Sequence, residues 1–467
     1  MVIRSINPAT EEVFAEFEEF SPEQVDTVLK EAHQAFEQWR RTSFEERAAL
    51  MRSAASYLRE HKERLAGLTT AEMGKPIVEA EAEIEKCAWT ADFYAEHAAR
   101  FLADEQVTTN ARESFVAFEP LGTVLAIMPW NFPYWQVFRF ALPALMAGNT
   151  AVLKHASNVS QCALAIEEVF REAGFPQGTF RTLLVASSAV EGIIKDRRIA
   201  AVTLTGSEAV GSIVARTAGE ALKKTVLELG GSDPFIVLAD ADLDGAVEFA
   251  VRSRFQDCGQ SCISAKRFIV VEEVAEAFEQ RFAEATSRLR VGDPRRRETQ
   301  IGPVARGDLR DDLDRQVRET VQQGAQLLQG GKRLGERGYF YAPTVLTNVQ
   351  PTMVAFHEET FGPIAAVTQV RDAEEAIAVA NASIYGLGGN LWTSDIERGK
   401  QLARRIETGS VFINGMTASD PRLPFGGVKR SGYGRELSSY GIREFVNIQT
   451  IWVGPAEGTA SAPPVGE

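Results

Sequence analysis

Residues 200–216 read AAVTLTGSEAVGSIVAR, an apolar run followed by Gly206-Ser207 and then a segment with apolar residues at helical spacing. The pattern is a strand, a small-residue turn and a helix that contains Gly211. Exposed N–H groups and the dipole at such a helix start favour an anion, a phosphate above all. The GxGxxG fingerprint is missing, and a helix simply capped by Ser207 is the plainer alternative. The flanks decide the fold. TAVLKHAS (150–157), CALAIEEVFREAG (162–174), FRTLLVAS (180–187) and AVEGIIKD (189–196) alternate between strand and helix patterns, which implies βαβ units and a parallel sheet covered on both faces.

Further upstream, from Pro22 to about Arg100, apolar residues recur at helical spacing among many charges, as in SPEQVDTVLKEAHQAFEQWRR (21–41). A run of amphipathic surface helices is expected there. Downstream, DPFIVLADA (233–241), AVEFAVRSRF (246–255), KRFIVVEE (266–273), VAEAFEQRFAEATSRL (274–289) and, later, AAVTQV, EEAIAVANA, GGNLWTSD, IERGKQLARRI and GSVFING (365–415) form a second α/β series. The fold class is therefore α/β with two lobes, joined near LELGGS (227–232), and ligands favour the cleft between lobes. SFVAFEPLG (114–122) and EFVNIQTIWV (444–453) read as strands outside the alternation, edges that invite pairing with another subunit. The last stretch, GPAEGTASAPPVGE (454–467), is small, Pro-rich and without apolar periodicity, and disorder is expected there.

Composition excludes several classes. A formal charge of −14 over 467 residues repels phosphate backbones, so nucleic acid is not an expected partner. No apolar run reaches the length of a membrane span, and MVIRSINPATEEVF carries charges where a signal peptide needs its apolar core, so a cytoplasmic location is expected. Four cysteines are too few for a disulfide framework, and five scattered histidines without HExxH give no metal site.

FQDCGQSCISA (255–265) carries two of the thiols, Cys258 and Cys262. A helix beginning near Ile263 would favour the Cys262 thiolate, though inert burial is the commoner state of a cysteine. Asn131 lies between Pro129 and Pro133, in a loop that follows a strand, where its NH₂ suits an oxyanion or its own loop backbone. Glu228 ends an apolar segment beside Gly230-Gly231, as a general base of raised pKa or as the partner of a cation.

PWNFP, LTGS, LELGG, GQSC, EETFGP and PFGGVKRSGYGRE, in this order and spacing, closely resemble the NAD(P)-dependent aldehyde dehydrogenase superfamily, from INPAT to about Trp452, and within it succinate-semialdehyde dehydrogenases. The resemblance implies a Rossmann-type cofactor domain (1–101 and 120–228), a second α/β catalytic domain (229–435), a β oligomerisation arm (102–119 and 436–453) and a tail (454–467). It implies that Cys262 is the nucleophile, that Asn131 and the Cys262 N–H hold the oxyanion, and that Glu228 activates the water that hydrolyses the thioester. Trp130, Lys154, Ser157, Gly206, Ser207, Gly211, Glu359 and Phe361 are implied to hold NADP or NAD. Ser157 stands where NAD-selective members tend to carry Glu, which predicts that NADP is accepted. Arg139, Ser261 and Ser419 are implied on the substrate side, with Arg139 on the distal carboxylate of succinate semialdehyde. Gln256 departs from the pattern, where some such enzymes carry a second arginine. Another aldehyde (amino, aliphatic or aromatic), transfer to coenzyme A, and a non-catalytic binder are the alternatives. Cys258 is either a redox partner of Cys262 or a small buried residue. Family members are homodimers or homotetramers.

Overall fold

The strand Thr123–Met128 is buried along its whole length and alternates between two cores: Val124, Ala126 and Met128 face one cluster, Leu125 and Ile127 the other. A strand buried on both faces requires cover on both. In this computed structural model, which describes residues 2–454, that strand sits in a six-stranded sheet. The order is Gly432–Tyr433, Lys224–Glu228, Ile199–Thr205, Thr123–Met128, Thr150–His155 and Phe180–Thr182. All neighbours are parallel except the Gly432–Tyr433 edge, which pairs antiparallel with Leu227 and Glu228. The alternation around residues 200–216 is thus reproduced: a strand over Ile199–Thr205 and a helix over Glu208–Glu220.

Four helices, Pro22–Trp39, Phe44–Glu60, Lys62–Met73 and Ile77–Phe101, occupy the stretch expected to be helical. The first two begin in capping boxes, Ser21 with Gln24 and Ser43 with Glu46, which satisfy otherwise orphaned N–H groups. The helix Trp135–Met146 is buried on every side, so truncating a core residue such as Phe138 to alanine is expected to cost about 3–5 kcal/mol.

The second sheet has seven strands in the order Gln326–Gln329, Thr344–Thr347, Ile364–Val370, Ala265–Val271, Asp233–Val237, Asn390–Trp392 and Phe412–Ile413. Only its Gln326–Gln329 edge is antiparallel. Elements of this lobe that the sequence patterns miss include the helices Gly307–Gln322 and Val354–His357 and the strands Gln326–Gln329 and Thr344–Thr347. An N-terminal hairpin, Val2–Ile6 with Val13–Glu18, is a further addition. The two strands outside the alternation pair with each other: Val446–Val453 runs antiparallel to Glu113–Pro120 through eight residue pairs. The expectation for residues 455–467 lies outside the described residues.

Candidate active site

The chain reaches Cys262 through backbone that L-residues disfavour. Asp257 and Cys258 both adopt left-handed φ, 51° and 54°, and Gly259 follows at 73°. Each non-glycine residue in this region costs about 1–2 kcal/mol, so the surroundings must hold it. The Asp257 N–H donates to Glu79 at 2.6 Å, and Arg254 donates to the carbonyls of Gly259 and Gly362, each at 2.6 Å. A Cβ at Gly259 would lie 2.3 Å from the Gly362 oxygen. Glycine is therefore required at the start of GQSC.

Beyond this bend the chain turns at Cys262 and enters the strand Ala265–Val271. No helix begins near Ile263, which corrects the sequence expectation and removes its reason for a stabilised thiolate. Ser261, Cys262 and Ile263 match a helix start as well as a turn, and the contacts of Lys266 to the Ser261 and Cys262 carbonyls decide between them. Cys262 keeps partial exposure, but burial pushes its thiol up to about 12, while the charges of Arg139 and Lys266 pull it down.

Lys266 fixes the turn. Its fully buried Nζ donates to the carbonyls of Ser261 and Cys262, both at 2.9 Å, and pairs with Glu359 at 3.2 Å. Asn131 is fixed from two sides: its Nδ2 donates to the Gln260 carbonyl at 2.9 Å, and its Oδ1 accepts from Gln136 at 3.0 Å. One N–H of the amide remains for a ligand. The Asn131 loop is itself anchored by Glu83, which accepts the backbone N–H groups of Tyr134 and Trp135 at 2.9 and 2.8 Å and pairs with Lys75 at 2.5 Å.

Glu228 ends its strand buried at 2% exposure. Burial first, then the neighbouring Glu436, raises its carboxyl well above the ordinary range; Arg139 opposes this. The direction agrees with the raised pKa expected of a general base. Gly426 makes the space: a Cβ there would lie 2.7 Å from Glu228 Oε1. Arg139 is no surface residue, at 2% exposure. It pairs with buried Glu436 and lies 4.5 Å from the Phe425 ring centroid.

A cleft of about 780 Å³ opens beside Cys262. Trp130, Asn131, Lys154, Ser157, Gly206, Ser207, Cys262, Glu359 and Phe361 all line it. Most come from the carboxyl ends of adjacent parallel strands, where open α/β sheets bind ligands. Ser207 stands at the start of the Glu208–Glu220 helix but does not cap it with its side chain, so the plainer reading of Ser207 gives way and the helix N-terminus faces the cleft undressed. Nothing would crowd a group above Gly206, whose added Cβ meets only Leu204 at 3.8 Å. Trp130 and Phe361 meet edge to face, centroids 5.7 Å apart. The remaining residues lie outside the cleft lining. Gly211 is behind it, where a Cβ would come within 2.6 Å of Leu229. Glu228, Arg139, Ser261 and Ser419 are buried and are not among its lining residues. Ser419 accepts from Lys86 at 2.7 Å and from the Trp135 indole at 3.1 Å.

Cys258 faces elsewhere. It packs in the core of the second lobe with Phe255 and Phe268, and its thiol donates to the Gly302 carbonyl at 3.3 Å, whereas Cys262 packs against the core of the first. Burial raises the Cys258 thiol far above its usual value. Among the described residues no group of three or more His, Cys, Asp or Glu side chains is placed to hold a metal ion, and no helix is long and apolar enough to cross a membrane.

A model of the aldehyde dehydrogenase family matches residues 1–451. The chain belongs to this family. It is 52% identical to a probable NADP(+) succinate-semialdehyde dehydrogenase of Synechocystis sp., over 97% of this chain and 100% of that one. It is 50% identical to an NAD(P)+ succinate semialdehyde dehydrogenase of Escherichia coli, over 96% and 97% of the two chains. Among solved aldehyde dehydrogenase structures, a succinic semialdehyde dehydrogenase from Streptococcus pyogenes in complex with NADP+ superposes with a TM-score of 0.95. It shares 39% identity and covers 97% of this chain and 100% of that one. Lys266, Glu436 and Lys86 are the residues that sequence reasoning passed over. Glu436 stands at the end of PFGGVKRSGYGRE and had a signal in that motif; Lys266 and Lys86 had none.

Proposed function

We propose that this aldehyde dehydrogenase oxidises succinate semialdehyde to succinate with NADP, and accepts NAD as well. One observation carries the reading: Cys262 and Asn131 open onto one dinucleotide-sized cleft, while the charges of Arg139, Lys266 and Glu228 act on the Cys262 thiol. The identities of its relatives support the choice of aldehyde and cofactor.

The cleft fits a dinucleotide. The undressed helix N-terminus at Ser207 and the open space above Gly206 suit a pyrophosphate. Lys154, whose ammonium is destabilised by burial, gains from an anionic or hydroxyl-rich neighbour. Ser157 is exposed at the rim and leaves room for a 2′-phosphate. Glu359 and Phe361, which line the cleft together with Cys262, would hold the nicotinamide end. When bound, the cofactor supplies the acceptor for the hydride that leaves the substrate carbon.

The protein's own residues do the rest. Cys262 Sγ gives its proton to solvent in the cleft and adds to the aldehyde carbon; the carbonyl electron pair moves to the oxygen, and that oxyanion is held by the spare N–H of Asn131 and the Cys262 backbone N–H. Each such donor is worth roughly 3 kcal/mol when aimed at the developing charge. Loss of hydride turns the thiohemiacetal into a thioester. Glu228, whose raised pKa makes its carboxylate the stronger base, takes a proton from water as that water attacks the thioester carbon; the carbon–sulfur bond breaks, Cys262 leaves as the thiolate and recovers a proton from the Glu228 carboxyl, and the acid product ionises to solvent. Arg139 and Lys266 hold down the cost of the anion at sulfur. Ser261 and Ser419 lie on the acid side of the substrate. The strand Val446–Val453, at a sheet edge with Ile448 and Trp452 exposed, supports assembly as a homodimer or homotetramer, and the domain division at 228/229 and a cytoplasmic setting belong to the same reading. Steady-state rates with NADP and NAD across acid, amino, aliphatic and aromatic aldehydes test it. Succinate semialdehyde with NADP is expected to give the highest kcat/KM; a neutral or amino aldehyde ahead of it would overturn the substrate assignment.

A further inference from the structure

Lys75 stands in the link between the helices Lys62–Met73 and Ile77–Phe101 and is not part of the cleft lining. The link is fixed on either side of it. Gly74 takes a left-handed φ of 83°, and a Cβ there would lie 2.7 Å from the Pro303 ring. Pro76 follows, and the Ile77 N–H donates to the Pro294 carbonyl at 2.8 Å. From this link the Lys75 side chain runs inward and is fully buried.

Its ammonium meets both loops of the site. On one side it pairs with Glu83 at 2.5 Å and lies 3.6 Å from the centroid of the Phe132 ring, next in the chain to Asn131. Glu83 in turn accepts the Tyr134 and Trp135 N–H groups. On the other side Lys75 Nζ is 3.8 Å from Asp257 Oδ2, at the first of the two left-handed residues before Gly259. Neither side-chain oxygen of Asp257 has a hydrogen-bond partner among the described residues. Burial pushes the Asp257 carboxyl up, and the Lys75 charge is the largest pull against it. Burial also disfavours the Lys75 ammonium, but the charges of Asp257, Glu83 and Glu79 outweigh that and hold its pKa above the ordinary lysine value.

The contacts close a ring. Asn131 Nδ2 donates to the Gln260 carbonyl at 2.9 Å, and the Gln260 N–H donates to the Asp257 carbonyl at 2.9 Å. Lys75, Glu83, the loop 131–135, Gln260 and Asp257 thus form a circuit around the Asn131 amide. Without Lys75 the circuit opens at both carboxylates. Asn131 keeps its bond to Gln260, but the loop behind it and the turn in front of it lose their shared anchor.

We propose that Lys75 is a positioning residue for the oxyanion step: it holds the loop of Asn131 and the left-handed turn that leads to Cys262 as one rigid unit, so that the spare Asn131 N–H stays aimed at the oxygen that develops beside Cys262. The inference rests on the oxyanion role of Asn131 stated above. Misplacing a group by about 1 Å lowers a rate by up to about 10²-fold, so Lys75 acts on kcat without touching substrate or cofactor.

The experiment measures kcat for succinate semialdehyde, the KM for NADP and the rate of Cys262 alkylation by iodoacetamide in the wild type, Lys75→Met, Asn131→Ala and the double variant. Alkylation uses the thiolate and forms no oxyanion, so it separates the nucleophile from its donor. Lys75→Met is expected to lower kcat at least about tenfold, with the KM for NADP and the alkylation rate within about threefold of wild type. In the Asn131→Ala background the same substitution is expected to lower kcat by no more than about threefold, because a residue that acts through Asn131 then has nothing left to position. A smaller loss in Lys75→Met, equal losses with and without Asn131, or an alkylation rate that falls as far as kcat overturns the role of Lys75. Asn131→Ala with wild-type kcat overturns the oxyanion reading and this inference with it. If Lys75→Met does not fold, Glu83→Gln takes its place in the cycle. It keeps an acceptor for Tyr134 and Trp135 and leaves Lys75 beside Asp257. Its expected loss in kcat is at least about threefold, and the same outcomes overturn the proposal.

Discussion

The two sides of Cys262 are built on opposite principles. On the cofactor side, groups are left without partners: an uncapped helix start at Ser207, an exposed Ser157 and a Lys154 destabilised by burial all face an open cleft. On the other side, buried charges are interlocked: Lys75 with Glu83 and Asp257, Arg139 with Glu436; Lys266, paired with Glu359 of the cleft wall, joins the two sides. A site that must admit and release a large dinucleotide keeps its donors free. A site that must hold a nucleophile, an amide and a base in fixed geometry keeps its charges paired, because an unpaired buried charge costs about 3–5 kcal/mol.

Substitutions on the two sides should therefore fail differently. Cys262→Ala removes the reacting sulfur and is expected to lower kcat by at least about 10⁴-fold, with the affinity for NADP, read by fluorescence titration, unchanged. Asn131→Ala comes next, with kcat reduced about 10²–10³-fold and the KM for aldehyde little altered; equal losses in kcat with and without an oxyanion-forming step, seen in single-turnover kinetics, would break the assignment. On the open side, Ser157→Glu puts a carboxylate where a 2′-phosphate would sit. It should raise the KM for NADP about 10–100-fold while that for NAD changes little. The smallest effect is expected for Cys258→Ala. Loss of a small buried side chain should lower the melting temperature by a few degrees, with kcat within about twofold and the same sensitivity to peroxide as the wild type.

The same contrast explains what could be read from the sequence. The open side is made of local patterns, a strand ending in a small-residue turn and then a helix, and LTGS carries that pattern within a dozen residues. Strands buried on both faces, such as Thr123–Met128, announce themselves as unbroken apolar runs. The interlocked side is assembled from distant segments. Glu83 caps a helix about fifty positions away, and Glu436 reaches Arg139 across nearly three hundred, so no window of sequence contains both partners. The helix Gly307–Gln322 was illegible for another reason. It buries only Leu313, Gln316, Val317 and Thr320, too sparse a stripe to stand out among its charges. The false helix at Ile263 arose because three residues are too few to distinguish a turn from a helix start. The turn is decided by Lys266, whose contacts to the Ser261 and Cys262 carbonyls have no mark in the spacing.

The most direct test of the account is Glu228→Gln mixed with succinate semialdehyde and NADP. The account predicts a burst of one NADPH per active site, then near-complete arrest, and a succinyl group on the peptide that carries Cys262 after rapid acid quench. Steady turnover at a rate close to wild type, or a label found only on another cysteine, would contradict it.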